Sequence, residues 1–136
     1  MSQFHLQIVT PDGSLFDGMA DSLLVRTSSG DVEFMRGHID YFASLGIGLC
    51  KLRVLGETRY ASLQGGFVSV KGGEVKLVAT TFEFDCDIDL ERAKKAREIA
   101  ESKIADAKDE KTVELAKAKL LRAINRIKVA ELYKDR

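Results

Sequence analysis

The sequence predicts an α+β protein, with a strand-rich N-terminal half over residues 1–86 and a helical C-terminal half over residues 87–136. In the first half apolar residues tend to alternate, and helices there would have to accommodate most of the eleven glycines. In the second half alanine, lysine and glutamate dominate and apolar residues recur every three or four positions, the period of a helix. The change falls within Asp87-Ile88-Asp89-Leu90-Glu91-Arg92-Ala93, with no glycine or proline between the two patterns.

Phe4, Leu6 and Ile8 alternate with Gln3, His5 and Gln7, as a half-buried strand requires, which places His5 toward solvent. Pro11-Asp12-Gly13 turns the chain, and strand-like segments 20–27 and 32–35 are separated by a turn at Ser28-Ser29-Gly30-Asp31. Arg36 to Asp40 forms a loop carrying His38, a structural or contact residue. Segments 47–55 and 58–63 make a hairpin around Gly56-Glu57. Gly65-Gly66 allows a sharp bend before segment 67–70, and Lys71-Gly72-Gly73 turns it back into segment 75–79. Short strands at this spacing fit a sandwich or a barrel.

In the second half Leu90, Ala93, Ala96, Ala100, Ile104 and Ala107 form one stripe, and Val113, Ala116, Leu120, Ala123, Ile127 and Ala130 form another. Asp87 or Asp89 can cap the first helix. The stripes are out of phase by about 200° on a straight helix, so a break is expected within 106–112, giving a helical hairpin. A single long helix is the alternative, since no glycine or proline marks the break. Facing alanines let helices approach closely but bury little apolar area.

Net charge is zero, yet the acid-free stretch between Glu114 and Glu131 holds Lys117, Lys119, Arg122, Arg126 and Lys128. It is either a solvated basic face or a site for phosphates or an acidic protein surface. Nucleic acid is not the expected partner, because the second half carries one aromatic and too small a positive excess. No window approaches the ~18 apolar residues of a membrane span, so no direct membrane insertion is expected. The N-terminus lacks a secretory signal, which reads as a cytosolic or processed chain. Cys50 and Cys86 lack ligand spacing and read as reduced thiols. Asp85, Asp87 and Asp89 begin like a calcium loop, but Leu90 and Ala96 stand where glycine and glutamate are needed, so no metal site is expected. Without a nucleophile elbow, a phosphate-binding glycine loop or a Ser-His-Asp set, no catalytic residue is assigned.

Val9-Thr10-Pro11-Asp12-Gly13, Gly37-His38-Ile39, Gly65-Gly66-Phe67, Ile88 to Ala93 and Arg122 to Ala130 occur, in this order and spacing, in a chain that resembles the epsilon subunit of the bacterial F-type ATP synthase. The resemblance covers nearly the whole chain. It implies a β-sandwich of about ten strands, residues 1–86, docked on the gamma subunit and the membrane c-ring, and an antiparallel regulatory hairpin, residues 87–136. It implies a non-catalytic central-stalk subunit, peripheral on the cytoplasmic face of the cell membrane, that couples ion flow to ATP synthesis and brakes ATP hydrolysis. In the extended hairpin, Lys117, Lys119, Arg122, Arg126 and Lys128 would meet the alpha/beta catalytic head, and His38 would meet the stalk or ring. In the folded hairpin a regulatory ATP is implied, not a required cofactor, with Mg2+ dependence open. Ile88, Asp89, Arg92 and Ala93 fill the fixed places of its motif, Glu83 matches an acid ahead of it, and Arg122 and Arg126 match its basic residues. Glu33 and Arg36 depart from the glycine and proline of the family loop, which puts that loop's shape in question. A free-standing β-sandwich interaction module with a basic helical tail is the alternative function.

Overall fold

The computed structural model describes residues 2–134; Met1, Asp135 and Arg136, at the outer ends of the two predicted halves, lie outside the described residues. The chain divides into two compact units, Met1–Phe84 and Asp85–Arg136.

Among the described residues the first unit has eight strands, β1 (Phe4–Thr10), β2 (Gly13–Ala20), β3 (Ser22–Thr27), β4 (Gly30–Phe34), β5 (Tyr41–Ser44), β6 (Ile47–Val54), β7 (Glu57–Lys71) and β8 (Glu74–Phe84). They hydrogen-bond in the order β2-β1-β8-β7-β6-β3-β4, with β5 also on β7. The first part of β7 pairs with β6 and its last part with β5, while β8 pairs with it from Ala61 to Lys71. Two long strands therefore carry one continuous sheet round a single core of residues such as Leu6, Ile8, Leu23, Val25, Phe34, Leu52, Leu63 and Leu77.

The turning point is Gly65-Gly66. Before it Ala61 and Leu63 are buried; after it Val68 and Val70 are, so the inward side of β7 passes from odd to even positions. β8 reverses at the same level, from Val75, Leu77 and Ala79 to Phe82 and Phe84. Both glycines have positive φ, 68° and 102°, and a Cβ on Gly66 would lie 1.9 Å from the Val78 carbonyl oxygen. Only glycine tolerates that backbone at that separation.

Eight strands stand where about ten were expected; the two runs predicted on either side of the glycine pair join into β7, whose register with β8 is the same before and after Gly65. The strand expected over 20–27 instead starts at Ser22, where Asp21 turns the chain, its amide donating to the Arg53 carbonyl at 2.8 Å. Gly13–Ala20, unassigned from the sequence, forms edge strand β2.

In the second unit a 3-10 turn, Asp85–Asp87, leads into α1 (Leu90–Asp106) and α2 (Glu110–Lys134). The break falls within the expected segment, and the two helices pack as a hairpin. Counting outward from the turn, Ala100 falls opposite Ala116 and Ala93 opposite Ala123, and all four are buried. The second predicted stripe holds. The first is corrected at Ala96, which is exposed, while Arg97 is half-buried: a 3.6-residue period leads from Ala93 to Arg97 and Ala100. Among the described residues no helix is long and apolar enough to cross a membrane.

Candidate functional site

Two regions hold the sequence-predicted site residues. The first is the start of α1 with the facing part of α2. Asp89 is extended, at φ −79° and ψ 101°, and its carboxylate accepts from the Arg92 amide at 3.1 Å while its carbonyl accepts from Ala93 at 3.0 Å. This is an N-cap, and it fixes where Arg92 leaves the helix. Ile88 is buried just ahead of the cap, Ala93 is fully buried on the interhelical face, and Arg92 is exposed. Arg122 and Arg126 lie one turn apart on α2, Arg122 exposed and Arg126 half-buried. Counting back from the turn places Arg126 opposite Leu90 and Arg122 opposite Lys94, so three guanidinium groups and the Asp89 carboxylate share one end of the hairpin. Such groups suit a polyphosphate and a hydrogen-bonding partner beside it. Glu83 belongs to the other unit, on β8 opposite Ser62.

The five cations of α2 do not form a single patch. At about 100° per residue Lys119, Arg122 and Arg126 share one flank, while Lys117 and Lys128 lie roughly half a turn round, beyond the buried stripe. A partner engaging all five must reach both sides of the helix.

The second region is the loop between β4 and β5. His38 is half-buried, its ring centroid 4.8 Å from Phe34 and 5.7 Å from Tyr41, and its Nδ1 donates to the Ile39 carbonyl at 2.7 Å. The ring props the loop, while Ile39, 77% exposed, and Met35, 54% exposed, project from it. Gly37 turns there at φ 84°, with Arg36 exposed beside it.

Beside this loop is a surface that the sequence reading missed. Val9, Val78 and Phe67 are aligned across β1, β8 and β7, and Phe42 on β5 stacks on Phe67 with ring centroids 5.3 Å apart. Phe42 is 66% exposed. The glycine pair hid this row, because alternation carried through it turns Phe67 inward.

His5 is also better connected than expected. Its Nε2 lies 2.6 Å from Asp17 on β2 and its Nδ1 3.4 Å from Glu74 on β8. The Asp17 hydrogen bond, with both carboxylate charges, raises its pKa above the ordinary value. Burial pushes the Cys50 thiol up to about 12. Among the described residues no group of three or more His, Cys, Asp or Glu side chains is placed to hold a metal ion.

With this geometry in place, likeness to known proteins is informative. The β-sandwich domain of the ATP synthase delta/epsilon chain matches residues 3–85, and that family's long α-helix domain matches residues 87–131. An ATP synthase epsilon chain of Staphylococcus haemolyticus is 40% identical over 133 residues, 97% of this chain and 99% of that one. The epsilon chain of Bacillus velezensis is 37% identical over 130 residues, 96% and 98% of the two chains. In a cryo-EM structure of Euglena gracilis mitochondrial ATP synthase, one chain superposes with a TM-score of 0.83 at 22% identity, covering 96% of this chain and 82% of that chain.

Proposed function

The chain belongs to the ATP synthase delta/epsilon chain family, a non-catalytic stalk subunit, and from that premise we propose that its two units divide coupling and control between them. The β unit docks on the gamma subunit and the c-ring on the cytoplasmic face of the membrane, transmitting rotation between ion flow and ATP synthesis. The loop propped by His38 and the Phe42–Phe67 row supply apolar contact area suited to that task.

The helical unit regulates. Folded, it holds one ATP, with Arg122, Arg126 and Arg92 directed to the phosphates and Asp89 and the Ile88–Ala93 turn to the base or sugar. Extended, it presents Lys117, Lys119, Arg122, Arg126 and Lys128 to the alpha/beta head and stops hydrolysis. The supporting observation is the clustering of Asp89, Arg92, Arg122 and Arg126 at one end of a hairpin closed by alanine. ATP shifts such an equilibrium only through its preference for one posture, typically ~1–3 kcal/mol.

Isothermal titration of the isolated chain with ATP, with and without Mg2+, is the test. Binding is expected in wild type and weakened in Arg126→Ala and Asp89→Ala, with the sheet unchanged by circular dichroism. Absence of binding removes the regulatory nucleotide and leaves the stalk role to be tested by recovery of ATPase subunits in a pull-down. Recovery of none of them favours the free-standing interaction module.

A further inference from the structure

His5 sits on the middle strand of β2-β1-β8 between two carboxylates, Asp17 at 2.6 Å and Glu74 at 3.4 Å. Imidazolium has two N–H donors and meets both. Neutral imidazole has one, so one carboxylate must then face a ring lone pair. The shorter contact at Asp17 keeps the remaining proton, and Glu74, whose side chain is 74% exposed, is free to swing away. Other charges facing the cluster are Lys71 on β7, opposite Glu74, and Lys76 on β8, opposite Gln7; on β2, Met19 rather than a charge is paired with His5.

Glu74 begins β8 directly after the β7–β8 turn. The far side of that turn is held by Asp40, whose Oδ1 accepts from the Gly72 amide at 3.0 Å, and Asp40 ends the loop that His38 props. We propose that His5 is a pH-sensing clamp: protonated, it ties β2, β1 and β8 together, and on losing a proton it keeps Asp17 and releases Glu74, loosening the turn anchored to the His38 loop. The direction of its titration agrees. Asp17 hydrogen bonding, chiefly, raises its pKa, so the charged clamp is complete below the ordinary histidine range and is lost as pH rises through the raised midpoint.

NMR of the isotope-labelled full chain between pH ~5.5 and ~9, above the carboxylate range, tests this. The His5 ring and the Gly72, Gly73 and Glu74 amides are expected to titrate with one midpoint, and the neutral ring to carry its proton on Nε2. Glu74→Gln should lower the midpoint, Asp17→Asn should lower it further, and His5→Gln should abolish the turn's titration. All three side chains are exposed or half-exposed, and unchanged spectra for β3 and β6 confirm the fold. Turn amides that ignore the His5 midpoint, or that titrate equally in His5→Gln, overturn the proposal.

Discussion

Replacing Gly66 by alanine tests the account of how one sheet turns round its core. The new Cβ would lie 1.9 Å from the Val78 carbonyl oxygen and 2.9 Å from the Ala79 Cα, both backbone atoms of β8. Restoring ordinary contact, about 3.5 Å, means moving β8 by roughly 1.5 Å. That shift disrupts the ladder at Gly66–Ala79 and Phe67–Val78. Two or three backbone hydrogen bonds at ~1 kcal/mol each, with ~1–3 kcal/mol of backbone strain, give a loss of about 4 kcal/mol. Gly65→Ala is the control. Its φ of 68° is the left-handed helical value, and its nearest neighbour is the Thr80 hydroxyl at 3.0 Å, which can rotate away. That change should cost ~1–2 kcal/mol. Urea denaturation followed on NMR cross-peaks of β1, β7 and β8 separates the two variants. At a slope of ~2 kcal/mol/M, Gly66→Ala moves the midpoint down by about 2 M and Gly65→Ala by under about 1 M. Equal losses would refute a glycine requirement set by the approach of Val78.

Alkylation at neutral pH should label Cys86, which is exposed, and leave Cys50, buried and raised to about 12, unmodified until the β unit unfolds; mass spectrometry counts the adducts. Asp109→Ala should fray the first turn of α2, because the Asp109 carboxylate accepts from the Thr112 amide at 2.7 Å, and amide exchange at Thr112 and Val113 reports it. Hydrogen bonding to Thr112 holds that carboxyl below its ordinary value, so the cap is intact above about pH 4 and fades in acid, whereas Asp109→Asn should cap without pH dependence. Phe42→Ser should leave stability within ~0.5 kcal/mol, since the ring is 66% exposed, yet reduce co-purification of stalk partners.

Most turns of the β unit were legible because they depend on local chemistry. Gly13, Gly30, Gly37, Gly56, Gly72 and Gly73 all have positive φ, which composition alone anticipates. What escaped depends on pairing. β2 has Leu15 and Met19 exposed on an open edge, so its apolar residues do not alternate in the way that marks a strand. The glycine pair reads as a break, but hydrogen bonds on either side carry β7 through it. In the helical unit the Asp89 cap was readable, as an acid directly ahead of a periodic run. Its counterpart Asp109 was not, because the break was sought in glycine or proline while the second helix starts on an aspartate that accepts from Thr112. The Ala96 error came from preferring alanine over the aliphatic stem of Arg97.

The two units differ in how hard they are to open. The sheet buries Phe34 and a set of leucines, isoleucine and valines at 0–2% exposure, and each such side chain contributes ~1.5–3 kcal/mol on burial. The helical unit buries mostly alanine, Ala93, Ala100, Ala116, Ala123 and Ala130, each with a single methyl, and few larger side chains, Ile88, Ile127 and Val129. A ligand preference of ~1–3 kcal/mol is small against the first set and a much larger share of the second. Charge introduced near Arg122 and Arg126, whether from a polyphosphate or an acidic protein surface, therefore has leverage on helix packing that it lacks on the sheet. Lengthening the contact tests that difference: Ala100→Leu should wedge the helices apart at a cost of ~1–3 kcal/mol, lowering helix stability in amide exchange while β7 and β8 keep their protection. If exchange in those strands rises equally, the two units open together, and a hairpin that moves while the sheet stays folded is ruled out.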